Sequence, residues 1–431
     1  MAKILLVSPP VYDFKLYDQW MNPFGLMALS YILQKAGHEV TFIDGLYARE
    51  KTKKFGTGFF VKESVSLPQP LQFMQRPYYR FGISQEELKD AIHKAQFDVA
   101  FVNGFLTYWY LGVFETIDIL KKFHPQKPVV LGGIYPTLCT QHAKTFSKAD
   151  VIFTGQALPQ KLEALFKNLG LKWNLSCLEL GLELGLDLAL TPTKPFFSLL
   201  LSSGCPYQCH YCASSILTSQ HGLYNLPPTS FFKQGYQEGI KDLAFLDDAL
   251  LYYQKALQNF IYSLQDQGVF FRYHTPNGLH LNQVSQETAQ FLKKTNFETL
   301  RFGLESLETQ WLLKSQNKTN KNQLFLAIDW LKQAGFSKKQ IGMYLLLSPE
   351  SSLKVVEKTL VLLEEMKVNL HLNYYSPIPQ TKDFNLMAQK YPEIISEPLL
   401  HNESVFLKKT GIFDLSHLYQ LKKRIQDYNS L

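Results

Sequence analysis

Three cysteines of this 431-residue chain fall close together, at Cys205, Cys209 and Cys212. Their spacing is Cys-x3-Cys-x2-Cys, and the chain has five cysteines in all, too few for a disulfide framework at this length. Three closely spaced thiolates can hold three corners of a 4Fe-4S cluster, whereas electron-transfer clusters of this type use four cysteines. We therefore expect one iron to keep an open coordination position, where a substrate can bind.

The same residues also fit a different kind of site. Cys-x2-Cys pairs are common zinc ligands, and His210 or His221 would be the nearest fourth ligand. The cysteines directly follow a predicted strand in a series of alternating strands and helices, which favours the iron–sulfur interpretation. A non-catalytic zinc or iron–sulfur binding module stays open as an alternative.

Strands alternate with helices in the first third of the chain. The predicted strands are 4–7, 39–43, 99–103, 129–131 and 151–153, and the predicted helices include 26–35 and 113–123. This alternation predicts an α/β fold with a Rossmann-like, doubly wound parallel sheet, which binds ligands outside the carboxyl ends of its strands. The stretch 47–83 is irregular and rich in glycine, proline and aromatic residues, so we expect a packed lid or a functional insertion there.

A second alternating series begins at residue 196. Its predicted strands are 197–202, 242–246, 269–274, 299–303, 340–347 and 369–375, with predicted helices at 254–267, 286–295, 323–334 and 353–366. About six such repeats predict a partial (β/α)6 TIM-like barrel, with its chemistry at the carboxyl ends of the strands. The predicted domains are a Rossmann domain over 1–165, a linker over 166–195, the barrel over 196–385 and a helical C-terminal extension over 386–431.

The composition and the charge of the chain indicate which kinds of partner and which cellular compartment to expect. Hydrophobic residues make up 46% and charged residues 19% of the chain, a globular balance. The net charge of +7 is spread out, so its short basic runs indicate solvated faces rather than a nucleic-acid patch. The apolar N-terminal run is too short for a signal peptide, and no apolar stretch approaches the roughly 18 residues that span a bilayer. We expect a soluble cytoplasmic protein without a membrane or nucleic-acid partner.

The cysteine segment resembles the signature of the radical S-adenosylmethionine (SAM) superfamily, with Tyr211 at the aromatic position before the last cysteine. The resemblance implies that Cys205, Cys209 and Cys212 hold a 4Fe-4S cluster. It also implies that SAM binds at the open iron and is cleaved reductively to a 5′-deoxyadenosyl radical.

Four residues would then contact SAM. Tyr211 is one of them, and Asp247 and Asp248 follow the second barrel strand, where the family places a residue that receives the methionine amine. Glu305 lies in Gly-Leu-Glu-Ser at 303–306, which is similar to the family's Gly-x-Glu-Ser element near the SAM ribose. The two aspartates could instead cap the following helix, and Glu305 could lie at a helix N-terminus. The loop 275–278 after the third strand would shape the substrate pocket.

Residues 3–44 and 129–155 resemble the cobalamin-binding domain found ahead of many radical SAM cores. The matching pieces include Leu-Leu-Val-Ser-Pro-Pro at 5–10 and Val-Leu-Gly-Gly-Ile-Tyr-Pro-Thr at 130–137. The implied cobalamin contacts are Ser8, Pro9, Asn103, Gly132, Gly133, Thr137 and Gly155. The lower-ligand motif Asp-x-His-x-x-Gly is missing after the first strand, as in many relatives that hold cobalamin without a histidine.

The leading hypothesis is a cobalamin-dependent radical SAM methyltransferase acting on an unactivated carbon. Its substrate would be a small molecule or a peptide, and its reductant a protein such as flavodoxin or ferredoxin. Cys139 and Cys177 stand alone and cannot supply the auxiliary cluster that methylthiotransferases carry. A cobalamin-independent radical rearrangement or hydrogen abstraction stays open as a second hypothesis.

Overall fold

A computed structural model describes residues 1–47, 49–174, 184–191, 194–316 and 318–431. Residues 175–183, 192 and 193 of the predicted linker, with Cys177 among them, lie outside the described residues. The chain divides into two compact units. The first comprises Met1–Lys194, Ile216–Pro227 and Ile395–Leu399, and the second comprises Pro195–Ser215, Pro228–Ile394 and Leu400–Leu431.

The first unit is built on a five-stranded parallel sheet. In spatial order its strands are Val151–Ile152, Val129–Gly133, Val99–Gly104, Lys3–Ser8 and Glu39–Asp44. The helices of this unit include Phe24–Lys35, Gln85–Lys94, Tyr110–Phe123, Ile134–Leu138, Thr140–Phe146 and Pro159–Asn168. The strand order reverses beside Lys3–Ser8, the arrangement that places ligands at the carboxyl ends of the strands. The predicted α/β fold with parallel sheets is confirmed.

The first strand shows why this sequence forms a buried sheet. Its residues Ile4, Leu5, Leu6 and Val7 are each at most 1% exposed. A parallel strand covered on both faces needs such a continuous apolar run. Helix Phe24–Lys35 contributes to the same core through the apolar side chains on its buried face. The N-terminal apolar run is therefore a core strand, as predicted.

The predicted irregular stretch 47–83 folds instead into strands, because it pairs with residues that precede it. One three-stranded antiparallel sheet contains Val11–Asp13, Tyr78–Phe81 and Lys62–Val65, and another contains Tyr17–Asp18, Gly58–Phe60 and Arg49–Thr52. The ends of this insertion meet, since the Ile83 N–H donates to the Gly45 carbonyl at 2.9 Å. A Cβ on Gly82 would lie 1.8 Å from the same oxygen, so only glycine fits there.

The second unit is built on six parallel strands that lie in the order of the chain. They are Phe197–Leu199, Asp242–Phe245, Arg272–Leu279, Phe297–Glu305, Ile341–Leu347 and Asn369–Tyr374. The helices between them include Thr229–Gln237, Gln254–Gln265, Gln286–Lys294, Thr309–Lys314, Lys321–Gln333 and Leu353–Glu365. A sequential parallel order brings the carboxyl ends of all six strands to one edge.

One predicted loop of this unit is wrong. Residues 275–278 lie inside the strand Arg272–Leu279 rather than after it. The pairing with the next strand shifts register between Thr275 and Leu279, and this irregularity accommodates Pro276 and the left-handed Gly278, with φ 92°. The Tyr344 hydroxyl donates to the Pro276 carbonyl at 2.8 Å and fixes the irregular segment.

The C-terminal extension is helical, as predicted. Its helices include Lys382–Lys390, Glu393–Ser396, Glu403–Thr410 and Leu415–Ser430. The last helix is tied to the sheet, because Asn429 exchanges hydrogen bonds of 2.9 and 2.8 Å with the backbone of Leu370. Within the described ranges, no helix combines the length and the apolar character needed to cross a bilayer.

Candidate active site

The three clustered cysteines lie on the loop that leads away from the first strand of the six-stranded sheet. Cys209 is buried, and Cys205 and Cys212 are partly exposed. The Cys212 Sγ atom lies 3.4 Å from the Ser214 backbone nitrogen, whose N–H points toward it. The left-handed Gly204, with φ 81°, redirects the chain just before the loop. Backbone N–H groups aimed at sulfur are the contacts that tune a bound iron–sulfur cluster.

Lys318 is a buried cation beside this loop. Its side chain is 10% exposed, and its ammonium lies 3.6 Å from the Glu305 carboxylate and 5.7 Å from the centre of the Tyr211 ring. Burial works to lower the pKa of Lys318, but the negative charges of the Glu305 carboxylate and of the cysteine thiolates, when they are ionised, outweigh it and the pKa rises. A permanent positive charge therefore faces the cysteines. Sequence reasoning missed Lys318, because it belongs to no motif and lies over 100 positions beyond the cysteines.

Burial favours the protonated form of two of the three clustered cysteines, Cys205 and Cys212. Burial raises the pKa of Cys212 to about 11 and also raises the pKa of Cys205. These thiols are protonated near neutral pH, and a metal must displace their protons to bind. In the described part of the chain, no three His, Cys, Asp or Glu side chains lie close enough to share a single metal ion.

Tyr211, the aromatic residue of the cysteine motif, is a packing residue of this loop. Its ring lies 5.4 Å from the Trp311 ring, and its hydroxyl lies beside Cys209. Burial raises the pKa of this hydroxyl strongly, so Tyr211 is neutral. The ring holds the cysteine loop against the helix Thr309–Lys314, and a contact with SAM stays a prediction.

The first of the two adjacent aspartates is buried and fully engaged. The Asp247 carboxylate accepts hydrogen bonds from the Ser202 N–H and hydroxyl, both at 2.6 Å, and from the Leu201 N–H at 3.0 Å. Burial raises the pKa of Asp247 to about 6 despite these bonds. Asp247 thereby ties the segment before the cysteine loop to the end of the second strand.

The second aspartate is exposed and lies at the cysteine loop. Asp248 accepts a hydrogen bond of 2.5 Å from the Ser214 hydroxyl. Its charge raises the pKa of both Cys205 and Cys212, which places it near them. Of the two aspartates, Asp248 is therefore the one that a ligand at the cysteines could reach.

Glu305 occupies a strained backbone position at the end of its strand. Its φ is 60°, in the left-handed region that non-glycine residues seldom adopt. A Cβ on Gly303 would lie 2.9 Å from the Glu305 Oε1 atom, so the glycine makes room for this carboxylate. The Gly-x-Glu spacing found in the sequence thus has a local steric cause.

The residues predicted for cobalamin lie along the carboxyl edge of the five-stranded sheet. In register, Ser8 pairs with Asp44, and Gly132 pairs with Asn103. The Thr137 hydroxyl donates to the Gly133 carbonyl at 2.7 Å and accepts from the Gly155 N–H at 2.8 Å. A Cβ on Gly132 would make ordinary van der Waals contact with Phe153, at 3.7 Å from its carbonyl oxygen.

Beside this edge lies a small cavity of about 40 Å³. Ser8, Pro9 and Asn103 line it, together with Asp44 and Lys194, which the sequence did not single out. Burial raises the pKa of Asp44 and lowers that of Lys194. The cavity has room for a few water molecules and not for a corrin ring, so a cobalamin macrocycle would lie outside it.

The segment after the first strand, where cobalamin-binding domains can carry a lower-ligand histidine, forms a strand in this protein. Val11–Asp13 is a strand, and the buried Asp13 carboxylate accepts a hydrogen bond of 2.7 Å from the Trp109 indole. Burial raises the pKa of Asp13 to about 6. The segment supplies no imidazole, so a cobalamin on the glycine edge would be held without a histidine ligand.

The fold is similar to that of cobalamin-dependent radical SAM enzymes. No family model matches the chain. One similar structure is the radical SAM methyltransferase TsrM from Kitasatospora setae, solved with tryptophan substrate and the SAM analog aza-SAM. The TM-score is 0.63 and the sequence identity is 13%, and the match covers 90% of this chain and 76% of that chain. OxsB, solved with aqua-cobalamin and SAM, matches with a TM-score of 0.57 and 13% identity over 92% of this chain and 56% of that chain.

One relative also matches in sequence. An uncharacterized methyltransferase of Pyrococcus horikoshii is 22% identical over 193 residues, which is 44% of this chain. The match spans 41% of the length of that relative. These similarities show the fold of the chain, and its chemistry depends on the residues of its own site.

Proposed function

We propose that this protein is a radical SAM enzyme in which Cys205, Cys209 and Cys212 hold a 4Fe-4S cluster that binds SAM at its open iron. The observation that carries the proposal is the set of three thiols on one loop beside the buried cation of Lys318. Three thiolates around a cluster concentrate negative charge, and a protonated buried lysine offsets it. When bound, the cluster would supply the electron that cleaves SAM to the 5′-deoxyadenosyl radical.

The neighbouring carboxylates would bind and orient SAM. Asp248 would accept a hydrogen bond from the methionine ammonium, because it is exposed and lies near the cysteines. The Asp247 carboxylate already accepts hydrogen bonds from the backbone of Leu201 and Ser202. Glu305 would accept hydrogen bonds from the ribose hydroxyls. Lys318 would hold the Glu305 carboxylate in place.

We further propose a role for each of the two parallel sheets. The six-stranded sheet would be the partial (β/α)6 barrel, and the five-stranded sheet would be a cobalamin domain with its cofactor over Gly132, Gly133 and Gly155. Cobalamin would supply a methyl carrier for transfer to an unactivated carbon of a small-molecule or peptide substrate. The likeness to TsrM over 90% of this chain supports this assignment. A flavodoxin or ferredoxin would deliver the electrons.

The test is anaerobic reconstitution with iron and sulfide, followed by assays for 5′-deoxyadenosine, S-adenosylhomocysteine and bound corrinoid. Alanine at Cys205, Cys209 or Cys212 is expected to abolish the cluster absorbance and SAM cleavage. Cys139→Ala is the matched control, because Cys139 is a half-buried thiol of the first unit, and burial raises its pKa to about 12. Zinc without iron, together with no SAM cleavage, would instead establish a binding module.

A second candidate function follows from the small size of the cavity beside the glycine edge. If the reconstituted protein forms 5′-deoxyadenosine but neither retains corrinoid nor forms S-adenosylhomocysteine, the methyl-transfer assignment fails. The enzyme would then catalyse a cobalamin-independent rearrangement or hydrogen abstraction.

A further inference from the structure

A larger cavity lies in the first unit, between the two antiparallel sheets formed with the insertion. It encloses about 320 Å³, within the range of small-molecule sites. Aromatic rings from both sheets line it. Tyr17 and Phe59 come from one sheet, with ring centroids 5.1 Å apart, and Tyr79 and Phe81 come from the other, with ring centroids 6.0 Å apart.

Three cations line the same cavity, and Glu50 is the only carboxylate among the lining residues. The cation-to-centroid distances are 4.8 Å for Lys15 over Tyr17, 4.1 Å for Lys62 over Tyr79 and 4.7 Å for Arg76 over Phe14. Among the described residues, no carboxylate forms an ion pair with any of these three cations, although the buried Asp13 attracts Arg76 at longer range. Two positive charges in excess of the Glu50 carboxylate therefore converge on one concave surface.

This arrangement differs from an ordinary basic surface. Lys15, Lys62 and Arg76 are exposed, as on an ordinary basic face, but they border a cavity that is lined with aromatic rings. Here each cation rests on the face of a ring, a contact worth about 0.5–1 kcal/mol at an exposed site. An anion could engage these side chains without breaking an ion pair.

We propose that this cavity binds a small molecule that combines a planar aromatic ring with an anionic group, a carboxylate or a phosphate. The ring of the ligand would pack against the edges of Tyr17, Phe59 and Tyr79, because ammonium groups cover the faces of these rings. The distances from ammonium to ring centre are 4.8 Å for Lys15, 4.0 Å for Lys53 and 4.1 Å for Lys62. The anion would pair with Lys62 and Arg76, since a guanidinium suits both carboxylates and phosphates. The buried Phe60 also lines the smaller cavity, so bound ligand would lie one side chain away from it.

The test is calorimetric titration of the full-length protein with four probes. They are 1-naphthoate, 1-naphthyl phosphate, the neutral 1-naphthamide and inorganic phosphate. At least one aromatic anion is expected to bind with a Kd below about 1 mM, and about tenfold more tightly than either the amide or inorganic phosphate. The stronger of the two anions identifies the carboxylate or the phosphate as the natural group.

Substitutions of the cations that line the cavity test whether the aromatic anion binds there. Lys62→Gln and Arg76→Gln are each expected to weaken the anion about fivefold or more. Lys54→Gln is the matched control, because Lys54 is an exposed lysine of the same insertion that lies 4.3 Å from the Phe55 ring and outside the cavity. Cys205→Ala should leave this binding unchanged, which separates it from the proposed SAM site. The proposal is overturned if neither anion binds below about 1 mM, or if Lys62→Gln and Arg76→Gln bind as tightly as the wild type.

Discussion

The Lys318 ammonium and the Glu305 carboxylate form a largely buried ion pair, 3.6 Å apart, next to the cysteine loop. The Glu305 backbone is left-handed at this position, which costs about 1–3 kcal/mol of conformational strain. Gly303 leaves the space that its carboxylate occupies. The pair thus joins the carboxylate proposed for the SAM ribose to the charge that faces the cysteines.

Replacing Lys318 by methionine is expected to make the cluster harder to reduce. Loss of a positive charge beside three thiolates should shift the reduction potential by about 50–100 mV to more negative values, and SAM cleavage should slow in parallel. Redox titration followed by electron paramagnetic resonance measures the shift. Lys321→Met, which removes a nearby exposed lysine, is the control and should leave the potential unchanged. An unaltered potential in Lys318→Met would refute this role.

Substitutions of the two neighbouring aspartates are expected to affect different properties, stability for Asp247 and SAM binding for Asp248. Asp247→Asn places an amide N–H against the backbone N–H of Leu201 or Ser202, so the free energy of unfolding should fall by about 2–3 kcal/mol. Asp248→Asn should leave stability nearly unchanged and weaken SAM binding about tenfold. Urea denaturation and SAM titration of the reconstituted protein separate the two effects. Equal behaviour of the two variants would contradict the assignment.

Asp13 is expected to make the protein less stable as pH rises from about 4 to 6. Its pKa in the folded state is about 6, above the usual carboxyl value, so in this window the folded protein binds a proton that the unfolded chain has released. Relative to Asp13→Asn, the wild type should therefore lose about 2 kcal/mol between pH 4 and pH 7. Urea unfolding followed by tryptophan fluorescence measures the difference. A constant difference across this range would show that Asp13 has an ordinary pKa.

Gly133→Ala is expected to destabilise the carboxyl edge of the five-stranded sheet. Gly133 has φ 102°, and an added Cβ would lie 2.6 Å from the Asn103 side-chain oxygen and 2.7 Å from the Gly104 carbonyl. We expect a loss of about 2–4 kcal/mol in the free energy of unfolding. Gly25→Ala is the control, since a Cβ there meets nothing within 4 Å and alanine favours the helix. Thermal denaturation of both variants provides the comparison, and equal stability would show that the edge tolerates a side chain.

Much of the fold could be predicted because its strands are buried on both faces. Runs such as Ile4 to Val7 carry a strong apolar signal, and the helices between them keep a regular period. The strand Lys62–Val65 carries no such signal, because it lies at a sheet edge with exposed polar residues. The sheets of the insertion were therefore missed.

The candidate site could be predicted where chemistry depends on spacing along the chain, and not where it depends on contacts across the fold. The cysteine spacing is local, so the sequence alone makes Cys205, Cys209 and Cys212 candidate ligands. Lys318 meets them only after the sheet has formed. Adjacent residues such as Asp247 and Asp248 look equivalent in sequence, and their different burial decides which of them a ligand can reach.

The insertion begins and ends at one point of the sheet, where Ile83 donates to Gly45. Because its two ends already meet, the segment between these residues could be lengthened at its exposed turns without changing the register of the parallel strands. Recognition carried by this module could thus diversify over evolutionary time while the cysteine loop, on a separate part of the chain, remained as it was.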